Sequence, residues 1–165
     1  STTCPRDLVN NEDVRLVFTV LAESVAARLR DYGLKCTGIQ ISLRDNQLYS
    51  ATRQGLLTKP SYLSADIINK AMELFLANYN WFHPLRSIGI RAINLVTEKD
   101  HIQLALFDDI DEKTREQESL SHTIDAIHSR FGHSSLLRAS CLLDSRLTGF
   151  NPKEDHVIHP VGYFK

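Results

Sequence analysis

Between Arg86 and Phe107 the chain reads RSIGIRAINLVTEKDHIQLALF, and the rest is organised around this stretch. Ile88, Ile90 and Ala92 alternate with Ser87, Gly89 and Arg91. That period of two is the signature of a strand with one face buried and the other in water. The second half, Gln103-Leu104-Ala105-Leu106-Phe107, closes an ordered region and is followed at once by Asp108, Asp109, Asp111 and Glu112. Before it, strand and helix patterns alternate. After it, the chain is acidic and mostly helical or irregular.

The segments upstream supply partners for that strand. Ser1 to Arg6 has extended character, since the residue before Pro5 is biased to β. Asn10 or Asn11 is expected to cap a helix, with Asp13 in the first turn favouring the positive end of its dipole. Val14, Val17, Leu21, Val25 and Leu29, flanked by Phe18 and Ala22, make one apolar stripe. Gly33 is placed to stop the helix. Cys36 to Leu43 alternates with Ile39, Ile41 and Leu43 inward, and Asp45-Asn46 turns the chain into a returning strand over 48–54. Lys59-Pro60 breaks the pattern. Ser64 is expected to cap a second helix whose buried face is Ile67, Ile68, Ala71, Met72, Phe75 and Tyr79. His83-Pro84 ends it.

The order is β-α-β-β-α-β, an α+β fold in which two helices cover one face of a four-stranded sheet and leave the other free. Arg44, Arg53 and Arg91 are expected on that free face, with Arg86 and Lys59 at its ends. Spacing alone fits solubilising charges on a wet face better than a binding surface. The expected division is residues 1–107 as the domain and 108–165 as an acidic linker and tail. In the tail, Leu120, Ile124, Ile127 and Phe131 form a narrow stripe on a helix closed by Gly132, with irregular chain beyond Gly149.

Charge does not by itself point to a nucleic acid. Residues 1–107 hold twelve Lys/Arg against ten Asp/Glu, a balance of +2, and residues 108–165 hold seven against ten, a balance of −3. A free-standing DNA-binding domain is normally far more basic. No apolar run approaches the roughly 18 residues of a membrane span. Three widely spaced cysteines, Cys4, Cys36 and Cys141, suit reduced thiols in a cytoplasmic protein. No phosphate-binding glycine loop occurs. His122, His128 and His133 precede Cys141 at spacings unlike the usual zinc ligand pairs. Asp108 and Asp109 are adjacent, so on a strand they would face opposite ways. No residue in the chain reads as a catalyst.

Four segments, PRDLVNNEDV, LAESVAARLRDYGLK, a strand ending in Thr52-Arg53-Gln54, and RSIGIRAINL, together resemble the little-finger domain of bacterial Y-family translesion DNA polymerases of the polymerase IV and V type. The resemblance covers residues 1 to about 107. It implies a β-α-β-β-α-β domain whose open sheet lies against primer–template DNA, with Arg44, Arg53, Lys59, Arg86 and Arg91 as the DNA-binding candidates. Gln103, Leu104, Leu106 and Phe107 are similar to the short peptide by which bacterial polymerases bind the sliding clamp. Ile124-Asp125-Ala126-Ile127 with Arg130-Phe131-Gly132 resembles a helix found beyond that peptide in some members. The palm, fingers and thumb of the family have no counterpart in this sequence. Catalysis, and the magnesium ions it uses, are therefore expected of a parent polymerase and not of these residues. The alternative is a stand-alone module whose sheet binds protein or RNA, with 103–107 serving as its last strand.

Overall fold

The computed structural model describes residues 1–97 and 112–152. Four strands, β1 (Thr2–Leu8), β2 (Leu34–Asp45), β3 (Ser50–Ser61) and β4 (Leu85–Thr97), form one antiparallel sheet in the order β1-β4-β2-β3. Two helices, α1 (Asn11–Asp31) and α2 (Ser64–Asn78), pack on one face of it. The expected β-α-β-β-α-β order is observed, and β4 occupies a central position between β1 and β2.

α1 starts where its sequence says it should. Asn10 is the N-cap, and its side chain accepts from the Asp13 amide at 2.8 Å. The Asp13 carboxylate in turn accepts from the Val9 amide at 3.1 Å. Two otherwise orphaned amides are thereby satisfied reciprocally. At the other end Gly33 takes φ +62°, the left-handed conformation that closes a helix without cost to a glycine. Between these ends Val14, Val17, Phe18, Leu21, Ala22, Val25 and Leu29 are all buried. They meet Ile39, Ile41 and Leu43 of β2, Ile88 and Ile90 of β4, and Ile67, Ala71 and Phe75 of α2 in a single core. Each fully buried large aliphatic contributes about 1.5–3 kcal/mol, so this stripe is what fastens α1 to the sheet.

Two local expectations are corrected. β3 does not end before Lys59-Pro60; it runs to Ser61, where it pairs with Cys36 across an irregularity in register. β3 is the edge strand, where a sheet tolerates a proline. Ser64 is not the cap of α2. Leu63 occupies that position without a side-chain bond, and the Ser64 hydroxyl accepts from Arg138 at 3.0 Å. Ser61 orders the entry instead, accepting from the Leu63 amide at 3.0 Å and donating to Asp66 at 2.6 Å. Tyr79 ends α2 half-buried.

The segment 112–152 docks on the helix layer. α3 (Glu112–Phe131) ends at Gly132, with φ +90°, as expected. Asp125 on α3 accepts two bonds from Arg30 of α1, at 2.5 and 2.8 Å, and Glu118 pairs with Lys35 at 3.1 Å. Ile124 and Ile127 are half-buried, while Leu120 and Phe131 stay exposed, so α3 is held largely by polar contacts. Arg138 pairs with Glu23. A short 3-10 turn (Ala139–Leu143) and α4 (Ser145–Thr148) then seat Leu147, fully buried, in the domain core. The boundary expected at 107/108 lies outside the described residues.

Arg6 ties the start of the chain to this segment. Its guanidinium donates to both Asp13 oxygens at 2.8 Å and to Asp144 Oδ2 at 2.8 Å. Hydrogen bonding to Arg6 holds the Asp13 carboxyl below its ordinary pKa despite burial. A carboxylate depressed in the folded state stabilises fully above its unfolded pKa of about 3.9, and loses that contribution as pH falls through the folded value. Arg6→Ala is expected to cost about 2–3 kcal/mol at neutral pH. That is less than for breaking a fully sealed pair, because Arg6 is itself partly exposed and water can take its place. Urea melts at pH 7 and pH 3 check this: the gap between wild type and variant should narrow at pH 3.

Candidate nucleic-acid interface

The helix-free face of the sheet is defined by register. Residues directly opposite one another on neighbouring strands point to the same face. Ile41 and Leu43 of β2 stand opposite Ile90 and Ile88 of β4, and all four are buried beneath the helices. The intervening positions therefore face outward, in rows that can be read off the pairing. Thr3, Ser87, Arg44 and Ser50 make one row; Gly89, Ser42 and Thr52 the next; Arg91, Gln40 and Gln54 the third; Ile93, Gly38 and Leu56 the fourth. Successive rows are roughly 7 Å apart, two residues of strand rise.

These rows hold hydroxyls, amides, two arginines and no carboxylate. Gly89 keeps the centre flat. A Cβ there would stand 2.5 Å from Ser42 Oγ, so a side chain at this position would push its neighbour aside. Arg44 and Arg91 are both exposed, two rows apart on adjacent strands, and neither forms an ion pair among the described residues. A flat surface of neutral donors and two unpaired cations suits a regularly spaced anion such as a sugar–phosphate backbone.

The other three basic candidates are elsewhere, which corrects the expected placement of Arg53. Arg53 pairs across the sheet with Ile41, so it points to the helix side; its Nε donates to Asn78 Oδ1 of α2 at 3.0 Å. The turn explains the difference. The Asp45 side chain accepts from the amides of Gln47 and Tyr49, and Leu48 sits at φ +69°. This places Arg44 opposite Ser50. Lys59 reaches across to Thr114 of α3 at 3.4 Å. Arg86 pairs with Asp7 of β1 at 3.2 Å, at the sheet margin. Gln40 and Ser42 were missed as candidates, although they alternate with Ile39, Ile41 and Leu43 and so were readable from the same period; Thr52 and Gln54 join them only through the pairing of β3 with β2. Gln103, Leu104, Leu106 and Phe107 lie outside the described residues.

Nothing in the described site is poised for bond-breaking chemistry. Cys4, Cys36 and Cys141 are free and buried. Burial pushes the Cys4 and Cys36 thiols up to about 11 and raises Cys141 as well, so all three are protonated at neutral pH. The His128 and His133 rings lie 5.3 Å apart between centroids. Among the described residues no three His, Cys, Asp or Glu side chains are grouped so as to hold a metal ion. No described helix is long and apolar enough to cross a membrane.

Fold and face together define an α+β module with one helical layer and one open, acid-free sheet. Residues 1–106 match the impB/mucB/samB family C-terminal domain. The chain belongs to that family, and it is a little-finger domain of the Y-family polymerase type. It is 41% identical over 147 residues to the DNA polymerase IV of Acetivibrio thermocellus, a match covering 89% of this chain and 37% of that protein. It is 29% identical over 143 residues to the DNA polymerase IV of Clostridium acetobutylicum, covering 86% of this chain and 35% of that one. With the DNA polymerase IV 2 of Bacillus subtilis the identity is 30% over 144 residues, covering 85% and 34%. The chain thus spans little more than a third of the length of these relatives.

Proposed function

We propose that this domain grips primer–template DNA for a lesion-bypass DNA polymerase, laying its open sheet along the duplex backbone without reading sequence. The observation that carries the reading is the acid-free outer face, whose rows present Arg44, Arg91, hydroxyls and amides and nothing that repels phosphate. Contacts of this kind fix position and carry no base information, and an enzyme that must pass damaged templates needs grip of that kind. Nucleotidyl transfer and its magnesium ions belong, in this reading, to the remaining two thirds of a polymerase like the relatives. Gln103, Leu104, Leu106 and Phe107 would dock the same protein to the sliding clamp in the bacterial cytoplasm.

With Arg44 and Arg91 as the central contacts and Arg86 at the margin, about three phosphates would be neutralised. The logarithm of affinity should then fall against the logarithm of salt with a slope near −0.9 per contact, roughly −2.7 in all. Arg44→Ala and Arg91→Ala should each weaken duplex binding equally on all sequences and reduce the slope by about 1. Arg53→Ala, on the other side of the sheet, should change it little. Fluorescence titrations at several salt concentrations measure this. Sequence preference, or salt-insensitive binding that the two open-face variants leave unchanged, would favour a protein- or RNA-binding module instead.

A further inference from the structure

We propose that the end of the sheet where β4 begins is a second nucleic-acid subsite, at which Tyr49 and Phe82 stack unpaired bases of a strand running off the duplex. The choice of occupant rests on the duplex-gripping reading above; the exposure of the rings does not. At this end β4 has both of its neighbours, since Leu85 pairs with Leu8 of β1 and with Asp45 of β2. It is also the end opposite Thr97 and the contact of α3 with Lys35. Two loops meet there, the turn from β2 to β3 and the passage from α2 into β4, joined by the Asn46 amide donating to the Pro84 carbonyl at 3.0 Å. The turn carries Leu48 and Tyr49, 67% and 71% exposed, and the passage carries Phe82, 84% exposed. Their neighbours Tyr79 and Trp81 pack on the buried Phe75, so the loops are anchored while these three side chains stand in water.

The backbone is held so that the rings stay out. Leu48 at φ +69° and Trp81 at φ +54° each stand one residue before an exposed ring. Such conformations cost free energy in residues other than glycine and persist only where the surroundings enforce them. Here the Asp45 side chain accepts from the Gln47 and Tyr49 amides, and Trp81 Nε1 donates to Asn11 Oδ1. Charge and continuity name the occupant. Tyr49 adjoins Ser50, which stands in the first row of the open face beside the exposed Arg44. The only acidic residue between Arg44 and Ser50 is Asp45, which is buried, and the stretch 79–84 has none. A nucleobase offers an apolar face joined to a phosphate, which suits a ring set next to a free guanidinium. Bases inside a duplex keep their faces in the stack, so the bases that reach these rings must be unpaired.

The test titrates the full chain with three probes: a blunt duplex, the same duplex with a five-thymidine overhang, and the same duplex with five abasic sites in the overhang. The abasic form keeps the added phosphates and removes the bases. The thymidine overhang should bind about tenfold more tightly than the abasic one, near the lower end for one stacked base. The Y49A/F82A variant should melt near the wild-type temperature, keep its affinity for blunt duplex and lose that tenfold difference. Tyr49→Phe, which retains the ring, should keep it. Arg44→Ala should weaken all three probes alike. Tip-dependent binding of the thymidine overhang, with no binding of blunt duplex, would keep the subsite and remove the grip reading. Blunt-duplex binding with equal affinities for the two overhangs would keep the grip and overturn the subsite. A thymidine preference that survives in Y49A/F82A would overturn it too, as would an equal loss of all three probes in that variant. Binding of none of the probes would overturn both readings and leave the exposed rings to a protein partner.

Discussion

Changing Leu106 and Phe107 together to alanine is expected to leave thermal unfolding of the domain near its original temperature and to weaken binding to a bacterial sliding clamp by at least about 100-fold. Fully burying two such side chains in a partner contributes about 3–6 kcal/mol. At 1.4 kcal/mol per tenfold, losing them corresponds to two to four orders of magnitude. Even with Leu104 added, the side chains supply only part of the roughly 8 kcal/mol of a micromolar complex once the cost of ordering the peptide is subtracted. Main-chain hydrogen bonds and Gln103 must supply the remainder, so affinity for a single peptide should be micromolar or weaker. Under the proposed function, simultaneous contact with duplex and clamp would raise the effective concentration and make that sufficient. A calorimetric melt and a clamp titration read both parts. If the double variant unfolds, these residues belong to the domain core. If it stays folded and binds the clamp as before, the docking assignment fails.

How far the sequence could be read follows from the range of each interaction. Asn10, Gly33 and the α1 stripe were legible because caps and apolar periods are local. Ile39, Ile41 and Leu43 were legible because a half-buried strand writes its inner face into every second residue. Arg53 was misplaced because a strand's facing depends on hairpin register, and a shift of one residue reverses it. That register is set by the Asp45 side chain and by Leu48 in a left-handed conformation, neither of which the dipeptide Asp45-Asn46 reveals. Pro60 reads as a strand breaker unless β3 is known to be an edge. The docking of 112–152 was least visible. It is held by Arg6 with Asp144, 138 residues apart, by Arg30 with Asp125, 95 apart, and by the buried Leu147. No local pattern records partners at such separations. The open face was half-legible: its arginines drew the eye, and its neutral rows, which leave phosphate unopposed, became apparent only from strand pairing.

The largest stability effect is expected at Phe75, on the far side of the sheet from the proposed grip. Its ring is fully buried, with centroids 6.5 Å from Phe18, 5.5 Å from Tyr79 and 5.6 Å from Trp81. These four rings join α2 to α1 and to the loop that leads into β4. Tyr79 donates to the His83 carbonyl at 2.6 Å, and Trp81 Nε1 donates to Asn11 Oδ1 at 2.7 Å beside the α1 cap. Trp81 sits at φ +54°, a conformation a bulky residue keeps only where its surroundings enforce it. Phe75→Ala removes the central ring, leaves a cavity and loosens that enforcement, at about 3–5 kcal/mol. A domain of this size is stable by only about 5–15 kcal/mol. With a urea slope of about 2 kcal/mol per molar, the midpoint should fall by roughly 1.5–2.5 M. At urea-free conditions where the variant remains folded, duplex affinity and its salt slope should match wild type, because Arg44 and Arg91 stand on the opposite face. A midpoint shift under about 0.5 M would mean that the aromatic cluster does not join the helices. An altered salt slope in the folded variant would mean that helix packing shapes the open face.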